Sequence, residues 1–185
     1  MSSRFEDLLS RLGEFLAENE IDYMIIGGFA LPSYGAIRAT VDLDLAVMIQ
    51  TPVEFQTFLL RAQGAGLNPS VASFSNPVTV LTDQKTGLEI EIWIRPDGIV
   101  WDKETLKRRN EIKIGSSDLY VVSPEDLIVS KLARPDRGAQ DEKDVKGVLV
   151  RMKGTIDRRY LRRRAARAGV LAILTAIENV PVESL

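Results

Sequence analysis

Phe5, Leu8, Leu9, Leu12, Phe15 and Leu16 recur at the three-and-four spacing of one helix face, which predicts an amphipathic helix over residues 3–18. The pattern then changes. Tyr23-Met24-Ile25-Ile26 is an unbroken apolar run that stops at Gly27-Gly28, as a buried strand does before a tight bend. A short helix is expected over 29–34. From 41 to 48 polar and apolar positions alternate, with Asp42 and Asp44 on one side and Leu43, Leu45 and Val47 on the other: a strand with an acidic edge. Thr51-Pro52 opens a helix to about residue 65, with proline in the first turn.

Two strands are expected at 78–81 and 88–94, around a turn at Lys85-Thr86-Gly87. Two more are expected at 111–114 and 119–122, around Gly115-Ser116-Ser117. Ser123-Pro124-Glu125-Asp126 has the marks of a helix start: a Ser cap, Pro at the first position and acids in the first turn. That helix runs to about 133, and others follow at 140–152, 157–168 and 170–179. Strands fill the middle and helices flank them, so the class is α/β (α+β) with a mixed sheet. The expected organisation is a core over 1–122 and a helical C-terminal segment over 123–185 packed on it.

Composition narrows the chemistry. The 185 residues contain no cysteine and no histidine. Disulfide scaffolds, thiolate metal sites, cysteine nucleophiles and histidine bases are all excluded. Catalysis must run on carboxylates, lysine, hydroxyls or a bound metal. No apolar run reaches the roughly 18 residues that span a bilayer, and the N-terminus does not read as a signal peptide, so no membrane partner and a cytoplasmic location are expected. Net charge is only −2, but it is polarised. Residues 151–167 hold eight basic residues and one acid, Asp157, a net +7 against −9 for the rest.

The densest chemical signal lies between residues 25 and 45. Asp42 and Asp44, two apart on a strand, share a face. Carboxylates that close repel each other unless a cation sits between them, and a hard divalent ion with oxygen ligands answers that need. Two such ions can clamp the attacking and leaving oxygens of a phosphoryl displacement. Gly27-Gly28, between strand and helix, offers bare backbone N–H groups to a phosphate. A third acid is expected from another strand, where Glu89 and Glu91 share a face. Trp93 reads as core or rim.

These residues resemble the nucleotidyltransferase (DNA polymerase β-like) superfamily, whose signature is a hydrophobic residue and Gly-Gly/Ser, then Asp-x-Asp, then a third acid on a later strand. The resemblance is closest to its AbiEii-type branch of minimal nucleotidyltransferases, the toxin half of certain toxin–antitoxin systems. The matching runs are Gly27-Gly28-Phe29-Ala30-Leu31 and Gly35-Ala36-Ile37-Arg38-Ala39-Thr40-Val41-Asp42-Leu43-Asp44. Lys131, Ala133, Arg137, Asp141 and Asp144 follow the branch's downstream order. The resemblance implies a nucleotidyltransferase fold and Mg²⁺- or Mn²⁺-dependent transfer of a nucleoside monophosphate from a nucleoside triphosphate (NTP). Asp42, Asp44 and Glu91 would hold metal, register favouring Glu91 over Glu89. Gly27 and Gly28 would seat the triphosphate, with Arg38 and Thr40 beside it. Lys131 would neutralise phosphate charge, and Asp141 or Asp144 would position a base, a helix or that lysine. Two positions depart from the branch: Glu91 replaces the usual Asp, and Gln140 the usual Lys. They motivate the alternative of a catalytically silent nucleotide-binding or partner-binding module on the same fold.

Arg158, Arg159, Arg162 and Arg163 form adjacent rows on a helix with no local acid to balance them. They are the expected contact for an RNA acceptor such as tRNA. An antitoxin protein is the other macromolecular partner the resemblance implies, and protein is the alternative acceptor.

Overall fold

The structure is a computed structural model that describes residues 3–36, 42–70, 72–114 and 117–180. Helix α1 (Ser3–Glu18) forms where the periodicity predicts it, and Leu8, Leu9, Leu12, Phe15 and Leu16 are buried. Burying each such side chain contributes on the order of 1.5–3 kcal/mol.

The strands are β1 (Tyr23–Ile25), β2 (Leu43–Val47), β3 (Leu67–Pro69), β4 (Val78–Asp83), β5 (Glu89–Trp93), β6 (Asn110–Ile114) and β7 (Ser117–Val121). Among the described residues they form one sheet in the order β3-β4-β5-β2-β1-β7-β6. β2 runs antiparallel to β1 and parallel to β5, and β1 is parallel to β7. The other neighbours are antiparallel. The expected mixed α/β (α+β) sheet flanked by helices is therefore the observed fold.

The helices are α2 (Pro52–Gly64), α3 (Lys103–Arg108), α4 (Pro124–Ala133), α5 (Ala139–Arg151), α6 (Arg158–Arg167) and α7 (Leu171–Asn179). Their starts follow local chemistry. At α2, Thr51 accepts from the Glu54 N–H while Glu54 accepts from the Thr51 N–H, and Pro52 needs no donor. Ser123 caps α4 and Asp157 caps α6, each accepting from the N–H three residues on. The expected short helix after Gly27-Gly28 is a 3₁₀ helix, Gly27–Tyr34, which touches β2, α4 and α5.

Two elements were not expected. β3 is three residues long and ends on proline, which an edge strand tolerates. α3 has no apolar periodicity and is set by its cap, Asp102, which accepts from the Glu104 and Thr105 N–H groups. The strand expected from residue 41 begins at Leu43, with Asp42 just before it, and residue 41 lies outside the described residues. Among the described residues no helix is long and apolar enough to cross a membrane.

Candidate active site

The sheet topology builds an acidic corner. β1 ends where β2 begins: the Ile26 N–H donates to the Asp44 carbonyl, and Gly27 then turns away. On the other side of β2, Glu91 is the register partner of Asp44. Glu89 lies further along β5, exposed and opposite Thr82. Of the two candidate acids, Glu91 is therefore the one beside Asp44.

Asp44 and Glu91 interact directly. Burial first, then the negative charge of Glu91 and a hydrogen bond with it, push the Asp44 carboxyl up to about 6, and Asp42 adds a smaller repulsion. One contact opposes these: the Trp93 indole Nε1–H donates to Asp44 Oδ1 at 3.2 Å. Asp42 is exposed and acts on Asp44 through charge. Among the described residues no group of three acids is gathered closely enough to hold a metal ion. The donor set nevertheless suits a hard divalent cation: two carboxylates in contact, a third nearby, and mutual repulsion that a cation would relieve.

Gly27 is required by geometry. Its φ is +66°, and a Cβ there would stand 2.0 Å from Asp44 Oδ2. The backbone can come this close to the carboxylate only because no side chain intervenes. Gly28 is buried one residue further, in the first turn of the 3₁₀ helix. The first N–H groups of a helix have no partner within it, so this end faces the acidic corner with donors. Arg38 and Thr40 lie outside the described residues.

Lys131 lies between α4 and α5. It is only 4% exposed, and its Nζ lies 2.7 Å from Asp144 Oδ2 and 3.3 Å from Asp141 Oδ1. The ion pairs tie α4 to the start of α5. Asp141 Oδ2 also accepts from the Gly138 N–H, and Gln140, in the place of the expected lysine, donates to Asp144 Oδ1 at 2.8 Å. Of the roles open to Asp141 and Asp144, holding that lysine is the one this geometry performs.

Two residues near the corner escaped the sequence reading. Trp93 is one, and its signal was available: it lies two residues beyond Glu91 on the same strand face. Arg134 is the other, three residues after Lys131 at the end of α4. It makes a two-pronged bond to Asp136 at 3.1 and 2.9 Å and stands 3.8 Å from Asp141. Its pKa is raised, chiefly by the Asp136 hydrogen bond, with Asp141, Asp136 and Asp44 adding through charge. It is thus an exposed cation within electrostatic reach of Asp44. Arg137, by contrast, is turned to the Leu132 carbonyl and Glu142.

The arginine rows of α6 are not unbalanced. Arg158 and Arg162 share Glu178, Arg163 pairs with Glu104, and buried Arg164 pairs with Asp102. The compensating acids come from α7, α3 and the residue before α3, distant in sequence, which corrects the expectation of uncompensated repulsion. Among the described residues Arg159 makes no ion pair.

A mixed sheet with paired acids beside a glycine bend defines a nucleotidyltransferase-like fold, and solved structures share it. The antibiotic-resistance factor ANT(2'')-Ia is 15% identical, with 96% of this chain and 98% of that one covered and a TM-score of 0.61. An antigenic nucleotidyltransferase-like protein from Paracoccidioides brasiliensis is 20% identical, covering 95% and 92%, with a TM-score of 0.56. The lincosamide antibiotic adenylyltransferase LnuA, solved with lincomycin bound, is 13% identical, covering 80% and 96%, with a TM-score of 0.51. No curated protein matches the chain. The chain belongs to the family described as "Nucleotidyl transferase of unknown function (DUF2204)", whose profile matches residues 5–169.

Proposed function

We propose that this chain transfers a nucleoside monophosphate from an NTP to an acceptor hydroxyl. The carrying observation is the contact of Asp44 and Glu91 beside the Gly27 bend, with Asp42 close enough to add its charge. In the transfer the acceptor oxygen bonds to the α-phosphorus as the bond to the β-phosphate oxygen breaks, and pyrophosphate leaves. The acceptor proton passes to Glu91, the carboxylate beside Asp44. Gly27 and Gly28 present backbone donors to the triphosphate. Asp44 and Glu91, with Asp42, would hold a divalent cation, Mg²⁺ or Mn²⁺, which when bound supplies positive charge to the phosphates. Lys131 acts at one remove, fixing α5 against α4 through Asp141 and Asp144. Arg134 is an exposed cation within electrostatic reach of Asp44 and would meet the phosphates from that side.

An RNA such as tRNA would engage Arg159 directly and displace Glu178 and Glu104 from Arg158, Arg162 and Arg163. A toxin role with an antitoxin partner rests on the AbiEii-type motif, and growth arrest by the wild-type chain but not by Asp44→Asn would support it.

The test is transfer of label from each α-labelled triphosphate, with Mg²⁺ or Mn²⁺, to a pool of RNA, protein and hydroxyl-bearing small molecules. Metal-dependent labelling with pyrophosphate release is expected, and Asp44→Asn should abolish both. The second reading, a silent nucleotide-binding module, is favoured by the absence of a gathered acid triad among the described residues. Triphosphate binding without pyrophosphate release, for every triphosphate and acceptor, would select it.

A further inference from the structure

Asp44 is held by one contact that the motif does not include. On β2, Asp44 and Ala46 leave the same face of the strand, and on parallel β5 their register partners are Glu91 and Trp93. Four side chains therefore form a square, acid facing acid at one end and alanine facing tryptophan at the other. Ala46 is small, so the indole can lie across β2 and reach back to Asp44, where Nε1–H meets Oδ1 at 3.2 Å. The other oxygen, Oδ2, lies over Gly27, at the place a Cβ would fill. An indole N–H is a donor only: it adds no net charge and ligates no metal. What it can do is fix a carboxylate that its acidic neighbour repels.

We propose that Trp93 is a positioning residue, whose indole N–H holds Asp44 Oδ1 so that Oδ2 stays over the Gly27 backbone, on the side where cation and triphosphate meet. This rests on the reading of Asp44 as a ligand for a divalent cation. Without the indole, the carboxylate turns from Glu91 and the ligand set must be reassembled with each ion bound. Hydrogen-bond partners of metal ligands typically contribute 10–100-fold in affinity.

The test is Mn²⁺ affinity of the full chain without nucleotide, followed by the electron paramagnetic resonance of free Mn²⁺. Four proteins are compared: wild type, Trp93→Phe, Trp101→Phe and Asp44→Asn. Trp101, the chain's other tryptophan, makes no hydrogen bond with its Nε1 among the described residues. Trp93→Phe should weaken Mn²⁺ binding roughly 10–100-fold with the melting temperature little changed, and Trp101→Phe should leave binding unaltered. Equal affinity in wild type and Trp93→Phe overturns the proposal, as does equal weakening by Trp101→Phe. Equal binding by wild type and Asp44→Asn instead overturns the metal reading beneath it. A second measurement does not require Trp93→Phe to fold. In Trp101→Phe the single remaining indole N–H resonance belongs to Trp93. Substoichiometric Mn²⁺ should broaden it, and an unaffected resonance overturns the proposal.

Discussion

Replacing Asp44 by Asn removes a charge while keeping the shape and the oxygen that Trp93 addresses. In the fold the Asp44 carboxyl is pushed up from 3.8 to about 6, first by burial and then by Glu91. The folded state thus binds this proton more tightly than the unfolded chain does. The ionised carboxylate destabilises the fold at pH above about 6. That penalty shrinks as pH falls through the folded value and vanishes below 3.8, where both states are protonated. At about 1.4 kcal/mol per pH unit, the penalty above pH 6 is at most roughly 3 kcal/mol. An Asn amide N–H can also donate to Glu91, replacing repulsion by a hydrogen bond. Asp44→Asn should therefore be more stable than wild type by about 2 kcal/mol at pH 8 in metal-free buffer, with the gap closing towards pH 4. The assay is urea unfolding at both pH values, with and without Mg²⁺. Saturating Mg²⁺ should narrow the gap, because an ion that binds the folded wild type stabilises it by about 2.7 kcal/mol at a hundredfold excess over Kd. A variant less stable than wild type at pH 8, or a gap independent of pH, would refute the reasoning. The expected pairing is a more stable protein without transferase activity.

Other outcomes follow from the same contacts. Gly27→Ala combines a positive φ with a 2.0 Å collision against Asp44 Oδ2; it should lose at least about 1–2 kcal/mol of stability and abolish transfer, read by melting and label incorporation. Asp83 is fully buried against Arg11, and chiefly that hydrogen bond, with Thr86, holds its carboxyl down at about 2. Its stabilisation is present above 3.8 and lost as pH falls through about 2. Asp83→Asn should destabilise by about 1–2 kcal/mol at pH 7, allowing for the partial exposure of Arg11, with the difference disappearing in acid melts. Tyr160 donates to the buried Asp126 carboxylate at 2.8 Å while Arg108 stacks on its ring. Tyr160→Phe keeps the stack and loses the donor, so unfolding should show a loss of roughly 1–3 kcal/mol while transfer persists.

How far these sites could be read in the chain depended on distance along it. The amphipathic face of α1, the Thr51 and Ser123 caps and the bend at Gly27 are local, and each formed where expected. Glu91 against Glu89 was a question of register between strands more than forty residues apart in sequence, which only pairing resolves. Lys131, Asp141 and Asp144 were legible as candidates, but which of the roles open to the two acids they take depends on α5 folding against α4, which no local pattern shows. The α6 arginines looked unbalanced for the same reason: Glu178 and Glu104 approach from other elements. Trp93 was overlooked because an aromatic residue on a strand is ordinarily packing. Its role depends on Ala46, a small residue on a different strand.

The most direct test is label transfer from an α-labelled triphosphate by four proteins: wild type, Asp44→Asn, Glu91→Gln and Glu89→Gln. Metal-dependent transfer by wild type and Glu89→Gln, with none by Asp44→Asn or Glu91→Gln, is the predicted result. Transfer that survives in Glu91→Gln, or that Glu89→Gln removes equally, would contradict the placement of the chemistry at the Asp44–Glu91 corner.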